Sequence, residues 1–225
     1  MFEAAAFSFF SSRVCCAVFF LSLAIIEWHR ARHAPRGTRI RVARGAAPAL
    51  TASMGNKSTK STIMDVLDLL TTQHTEVDDL FEKLENDEGD RQTLFLELAD
   101  KLAAHATIEE KIFYPGVMSK ETHELLHESV EEHLTIKRTL ADMLTMKLDE
   151  DSFKAKLSVL KENVSHHAHE EEEDKLFPIL RSTMSKDELA ALGNECLAMF
   201  EDLMRKHPYR NVPSETAAAA PLPSL

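Results

Sequence analysis

Two stretches of this chain set imidazoles beside carboxylates about one helical turn further on. They are His105-Ala-Thr-Ile-Glu109 and the cluster His166-His167-Ala-His169 followed by Glu170, Glu171, Glu172 and Glu173. Each runs into an aromatic residue and a proline, Phe113-Tyr114-Pro115 and Phe177-Pro178, so the second reads as a reprise of the first. On an α-helix, positions i and i+4 share a face about 6 Å apart. A His and a Glu so placed reach one metal ion, and two such helices facing each other hold two.

The elements that must carry these residues are helices. Met64, Leu67, Leu70, His74, Val77, Leu80, Phe81 and Leu84 recur at spacings of three and four, the period of an amphipathic helix. Asn86–Asp90 contains a helix-stopping Gly89. A second helix aligns Leu94, Leu98, Leu102, His105, Glu109, Ile112 and Phe113, and a third aligns Leu125, Leu126, Val130, His133, Ile136, Leu140 and Leu144. A fourth follows the acidic break at 149–151, with Phe153, Leu157, Leu160, Val164 and His167 in phase. Ser185-x-x-Glu188 reads as a capping box opening a shorter fifth helix. The expected fold is all-α: an up-down-up-down four-helix bundle over residues 62–183, with a short C-terminal helix over 184–207. Residues 208–225, rich in alanine and proline, are expected to be a disordered tail.

His74, His105, His133 and His167 each fall on the apolar stripe of their own helix, one per helix. A lone inward histidine is more often a hydrogen-bonded core residue than a ligand. Four together, two with a nearby Glu, form the pattern of a metal site inside a bundle. Glu109 strengthens it, because a buried carboxylate is costly unless paired or metal-bound, and no Lys or Arg shares its stripe. His123 and His127 fit the His133 face poorly, and His29, His33 and His207 lie outside the helical body. His166 and His169 flank the site as solvated or supporting residues.

Composition narrows the function. Residues 1–60 hold 9 Lys/Arg and 2 acids, whereas the remainder holds 17 and 35. An acidic body argues against nucleic acid as a partner, since phosphate binding needs basic surface. Three cysteines, Cys15, Cys16 and Cys196, make neither a disulfide framework nor a thiolate zinc site, which favours a reducing compartment such as the cytoplasm. The apolar run 14–26 is too short to span a bilayer comfortably. Residues 1–61 form an extension with three readings: a start upstream of the true one at Met54, an organelle-targeting segment over 1–53, or, last, a membrane anchor. Met54-Gly-Asn-Lys-Ser-Thr also matches a myristoylation pattern if Met54 initiates.

At these residues the chain resembles the hemerythrin-like, HHE cation-binding family. QHTEVDDLFEKLE (73–85), HATIEEKIFYP (105–115), EEHLTIKRTL (131–140) and NVSHHAHEEEEDKLFPIL (163–180) are similar to its four helix motifs in order. The resemblance implies a non-haem di-iron centre, two iron ions with manganese or zinc as alternatives, held by His74, His105, Glu109, His133, His167 and a Glu from 170–173. It implies O2, NO or another small ligand, and a role in binding or sensing O2, NO or iron. A redox enzyme acting on peroxide, nitric oxide or iron-sulfur clusters, or a metal-stapled interaction module, are the alternatives. Imidazole and carboxylate donors without thiolate suit iron, manganese and zinc, and six donors exceed the four of a structural zinc site.

Two departures from the family pattern matter. Oxygen-carrying hemerythrins place a second His one turn from the third-helix ligand, whereas Ser129 and Lys137 flank His133 here. That disfavours plain oxygen carriage. His105 also lies ten residues before Pro115, whereas His167 lies eleven before Pro178. One extra residue must be absorbed in the second copy, which a π-bulge does. The partner of His167 is expected to be Glu171, with Glu172 as the alternative carboxylate and His169–Glu173 as a lesser pair.

Overall fold

The computed structural model describes residues 64–225. The 1–61 extension, with its start-site, targeting and anchor readings, lies outside the described residues. The described chain is helical throughout, with no strand. Helix α1 spans Val66–Glu85 and α2 spans Arg91–Ile108. The latter continues through a π-turn, π1 (Glu109–Phe113), into α3 (Tyr114–Val117). Helix α4 spans His123–Met143 and α5 Asp151–Ser165. A longer π-segment, π2 (His166–Leu176), leads from α5 into α6 (Phe177–Thr183). Helix α7 spans Lys186–Met204, and a 3-10 run covers Pro208–Glu215. Among the described residues no helix is long and apolar enough to cross a membrane.

Local chemistry starts and stops these helices. The Asp65 carboxylate accepts from Asp68 N at 3.0 Å and Asp90 from Thr93 N at 3.1 Å, each satisfying a donor left free at a helix start. Gly89, at φ +70°, takes the left-handed conformation that turns the chain from α1 to α2. Ser185 and Glu188 form the reciprocal capping box anticipated from their spacing.

The buried apolar residues form two clusters rather than one. The first gathers Val77, Phe81, Leu98, Leu102, Ile136, Phe153 and Val164, with Phe95 edge-on to Phe153 at 5.0 Å. The second gathers Leu70, Ile108, Phe113, Tyr114, Val130, Leu176 and Phe177, closed by Leu189 and Cys196 of α7. Between them lies a polar layer. His74 falls between Leu70 and Val77, His105 between Leu102 and Ile108, His133 between Val130 and Ile136, and His167 between Val164 and Leu176. Each apolar stripe thus crosses from one core to the other with a histidine at the crossing.

The segment expected to be a tail behaves differently. Val212 is buried in the first core, and Asp100 secures the reversal before it by accepting from His207 Nδ1 at 2.8 Å and Tyr209 N at 3.3 Å. Arg138 donates to Thr216 O and Ala217 O, and Ala219, Ala220 and Leu222 pack on the second core. Small side chains suit close packing here, a role that composition alone does not distinguish from disorder.

Helix α7 lies against α1 at Gly193. A Cβ there would come within 2.8 Å of Met64 O and 2.9 Å of Val66 N, both backbone atoms with little room to yield. At Gly116 the nearest atom, at 2.7 Å, is the flexible end of Leu192. Gly→Ala inside a helix ordinarily gains up to about 1 kcal/mol from propensity. Gly193→Ala is expected instead to lose about 1–3 kcal/mol through overpacking, lowering Tm by several degrees, with a smaller loss for Gly116→Ala. Thermal melts of the two variants check this order, and a stabilised Gly193→Ala would refute the α1–α7 packing.

Candidate metal centre

Each of the four layer histidines is gripped at Nδ1 by an acceptor. His74 donates to Glu173 Oε1 at 2.7 Å and His105 to Gln73 Oε1 at 2.8 Å. His133 donates to Glu110 Oε1 at 3.1 Å and His167 to Glu132 Oε2 at 2.8 Å. With the proton held at Nδ1, each Nε2 keeps its lone pair, and all four point into the layer. His74 and His105 approach Nε2 to Nε2 at 3.2 Å, and His133 and His167 at 3.0 Å.

Two carboxylates complete the cluster. Glu109 sets Oε1 3.1 Å from His105 Nε2 and Oε2 3.2 Å from His133 Nε2, spanning both imidazole pairs. Glu172 sets Oε2 3.3 Å from His74 Nε2, and its Oε1 accepts from Tyr114 OH at 3.0 Å. Both are fully buried. The donors fall into two groups that share Glu109: His74, His105, Glu109 and Glu172, and Glu109, His133 and His167.

Both groups fit a cation. Glu109 Oε1 and Oε2 and Glu172 Oε2 are buried with no conventional hydrogen-bond donor, while neighbouring nitrogens direct lone pairs at them. Lone pairs facing lone pairs repel unless a positive charge sits between, so this layer needs metal ions or protons. Cys196, the free thiol among the described residues, is pushed up to about 12 by burial and offers no thiolate. The donor set is therefore nitrogen and oxygen only.

The π-segments decide which carboxylates point inward. In π1, Tyr114 N bonds back to Glu109 O, five residues earlier. In π2, Phe177 N does the same to Glu172 O. This wider turn relieves a conflict one residue on, where Pro115 and Pro178 lack an N–H and would press on the preceding helical turn. Only the second copy was expected to bulge, yet both do. The first bulge starts at Glu109 and leaves His105–Glu109 as an i, i+4 pair. The second spans the whole cluster and turns Glu172, rather than Glu171, into the layer, where it faces His74 of α1 and not His167 of its own helix.

The structure thus brings together His74, His105, Glu109, His133, His167 and Glu172. Glu171 lies outside, with Oε1 bound by Lys175 Nζ and 3.5 Å from His166 Nε2. His169 and Glu173 pair at 3.1 Å beside the site, and Glu173 steadies His74. The flanking positions of His133 are occupied otherwise: Ser129 donates to Leu125 O, and Lys137 pairs with Glu110 at 2.7 Å and with Glu215 at 3.2 Å. Gln73, Glu110, Glu132 and Tyr114 escaped the sequence reading, because each serves a histidine or carboxylate of another helix. Tyr114 carried one signal, its place in the repeated aromatic-Pro ending.

Without metal, protons enter the layer at His74 and His133, whereas burial lowers His105. Burial alone would lower His74, but hydrogen bonds to Glu172 and Glu173 and the charges of Glu172 and Glu109 outweigh it and raise the ring to about 10. His133 is likewise raised to about 9, its burial outweighed by Glu109 and Glu110. Glu109 is held well below the usual carboxylate range, since His105 and His133 overcome its burial. Burial and the charges of Glu109 and Glu172 push the Tyr114 phenol well up.

These shifts set a sign. A histidine raised on folding stabilises the folded state fully below its unfolded value near 6.5, and that contribution is lost as pH rises through its folded value. The metal-free protein is expected to lose Tm between about pH 7 and 10. Cation uptake at pH 7 must displace the same protons, releasing on the order of two per chain. Melts of chelator-treated protein across this range, and proton release in weak buffer during metal addition, check both expectations.

The comparisons with known proteins agree with this geometry. The family described as hemerythrin HHE cation binding domain matches residues 65–180. A solved structure from Mycobacterium kansasii, a hemerythrin HHE cation binding domain-containing protein, is similar in fold with a TM-score of 0.57 and 23% identity. That alignment covers 65% of this chain and 91% of the other. No curated protein matches significantly.

Proposed function

We propose that this chain, which belongs to the hemerythrin HHE cation binding domain family, holds two iron ions in an up-down-up-down bundle and uses them to bind or sense O2, NO or iron itself. The observation that carries this reading is Glu109, a fully buried carboxylate whose two oxygens face two separate imidazole pairs and have no hydrogen-bond donor. His74, His105 and Glu172 would hold one ion with Glu109, and His133 and His167 the other. A reduced iron pair held by these residues would supply electrons to, and bind, a diatomic ligand. Manganese or zinc would occupy the same donors without all of that chemistry.

The surrounding residues set conditions for the centre. The acceptors Glu173, Gln73, Glu110 and Glu132 fix ring orientation and raise imidazole basicity. Beside the histidines lies a cavity of about 20 Å³, walled by Val77, Leu102, Ala106, Ile136, Val164 and Ala168. It has room for roughly one water-sized molecule and an apolar lining, which favours a neutral diatomic over a charged substrate. Tyr114 supports a second reading, a redox enzyme acting on peroxide or nitric oxide, because an oxidisable phenol donates directly to Glu172. Reduced iron and a free thiol suit a reducing compartment such as the cytoplasm.

Metal analysis of protein purified without oxygen tests the proposal. Two irons per chain are expected, with an absorption spectrum that changes on exposure to air. Glu109→Gln is expected to reduce the content to one iron or fewer while the protein remains folded. One zinc per chain, or no metal, would overturn the reading. Sustained turnover of peroxide or nitric oxide would select the enzyme over the sensor.

A further inference from the structure

The four layer histidines are gripped alike in geometry but not in chemistry. Glu173, Glu110 and Glu132 offer carboxylates to His74, His133 and His167, whereas His105 has the neutral amide of Gln73. An ionised carboxylate can only accept, but an amide also donates. Gln73 is 5% exposed, and its Nε2 is buried with no hydrogen-bond partner.

The orientation of this amide follows from the site. His105 turns Nε2 inward, so Nδ1 carries the proton and Gln73 meets it with oxygen, at 2.8 Å. The NH2 group is thereby left over. Gln73 lines the small cavity beside the centre, together with the four histidines and the side chains of Val77, Leu102, Ile136 and Val164. The aliphatic side chains bring no donor, and each histidine has already given its Nδ1 proton to an acceptor. Among the described residues lining this cavity, the Gln73 amide is the one side-chain donor left uncommitted. A buried donor without a partner is costly, and such a group beside a cavity points to a ligand.

We propose that Gln73 donates a hydrogen bond to the small ligand taken up in this cavity and so selects one that becomes an acceptor once bound, a role that rests on the reading of the centre given above. A diatomic such as O2 or NO, held at a reduced metal, draws electron density toward its outer atom. A fixed N–H aimed at that atom gains strength only as the charge develops, and an apolar surrounding makes the gain larger. The apolar lining admits the neutral molecule, and the single donor holds it afterwards. Gln73 thus works from both ends: its oxygen orients His105, and its nitrogen holds the ligand.

Gln73→Glu separates the two ends. It keeps an acceptor for His105 Nδ1, of the kind the other three histidines have, and removes the donor. Wild type and variant, both full length and loaded with iron without oxygen, are given one equivalent of NO. Its dissociation and its N–O stretching frequency are followed. The variant is expected to retain two irons and release NO on the order of tenfold faster. The wild-type stretch is expected to shift in D2O, and that of the variant to stay put. A residue that only orients His105 predicts the opposite sign, because a carboxylate makes the imidazole more basic and the metal a better electron donor. Equal or slower release, a wild-type stretch unmoved by D2O, or a shift that persists in the variant overturns the assignment. So does loss of iron from the variant alone, since the amide nitrogen would then serve the metal rather than the ligand. Absence of iron from both proteins overturns the reading of the centre, and this role with it.

Discussion

Two carboxylates, Glu109 and Glu172, sit fully buried among four imidazole lone pairs, and the rest of the structure is arranged around that constraint. A buried charge without compensation costs several kcal/mol, far more than a surface ion pair returns. The cost is tolerable only if positive charge enters the layer, as protons in the metal-free chain or as cations in the loaded one. Folding and cation binding are therefore coupled, and the two cores above and below the layer hold the donors together against mutual repulsion.

The grip on the histidine Nδ1 atoms follows from the same constraint. An imidazole presents Nε2 inward as a lone pair only when its other nitrogen carries the proton and has somewhere to donate it. Glu173, Gln73, Glu110 and Glu132 meet that need from neighbouring elements. Lys137, one turn beyond His133, extends the arrangement by one step: it pairs with Glu110 and with Glu215. The C-terminal segment thus reaches His133 through Lys137 and Glu110.

Much of this was legible because helices report themselves through period. Apolar residues at spacings of three and four marked the long helices, Ser185 and Glu188 marked a cap, and the histidines read as inward-facing because they shared phase with Leu70, Leu102, Val130 and Val164. Residues 208–225 misled for the converse reason: alanines and prolines have no period, so packing and disorder look alike. Tyr114 and the Nδ1 acceptors were hidden because they act across helices, and a charged residue on one helix looks solvated until its neighbour is in place.

By itself, the sequence determined an all-helical body, a layer of four histidines with Glu109 among them, and a carboxylate run uncertain by one residue. The tertiary structure decided that Glu172 faces the centre while Glu171 turns to Lys175, and that Glu109 spans both imidazole pairs. The physical reason is the π-turn. Whether a helix widens depends on how Pro115 and Pro178 are accommodated against their neighbours, and one residue of register turns a side chain from one face to another. Periodicity is a property of one segment, whereas facing donors belong to several at once.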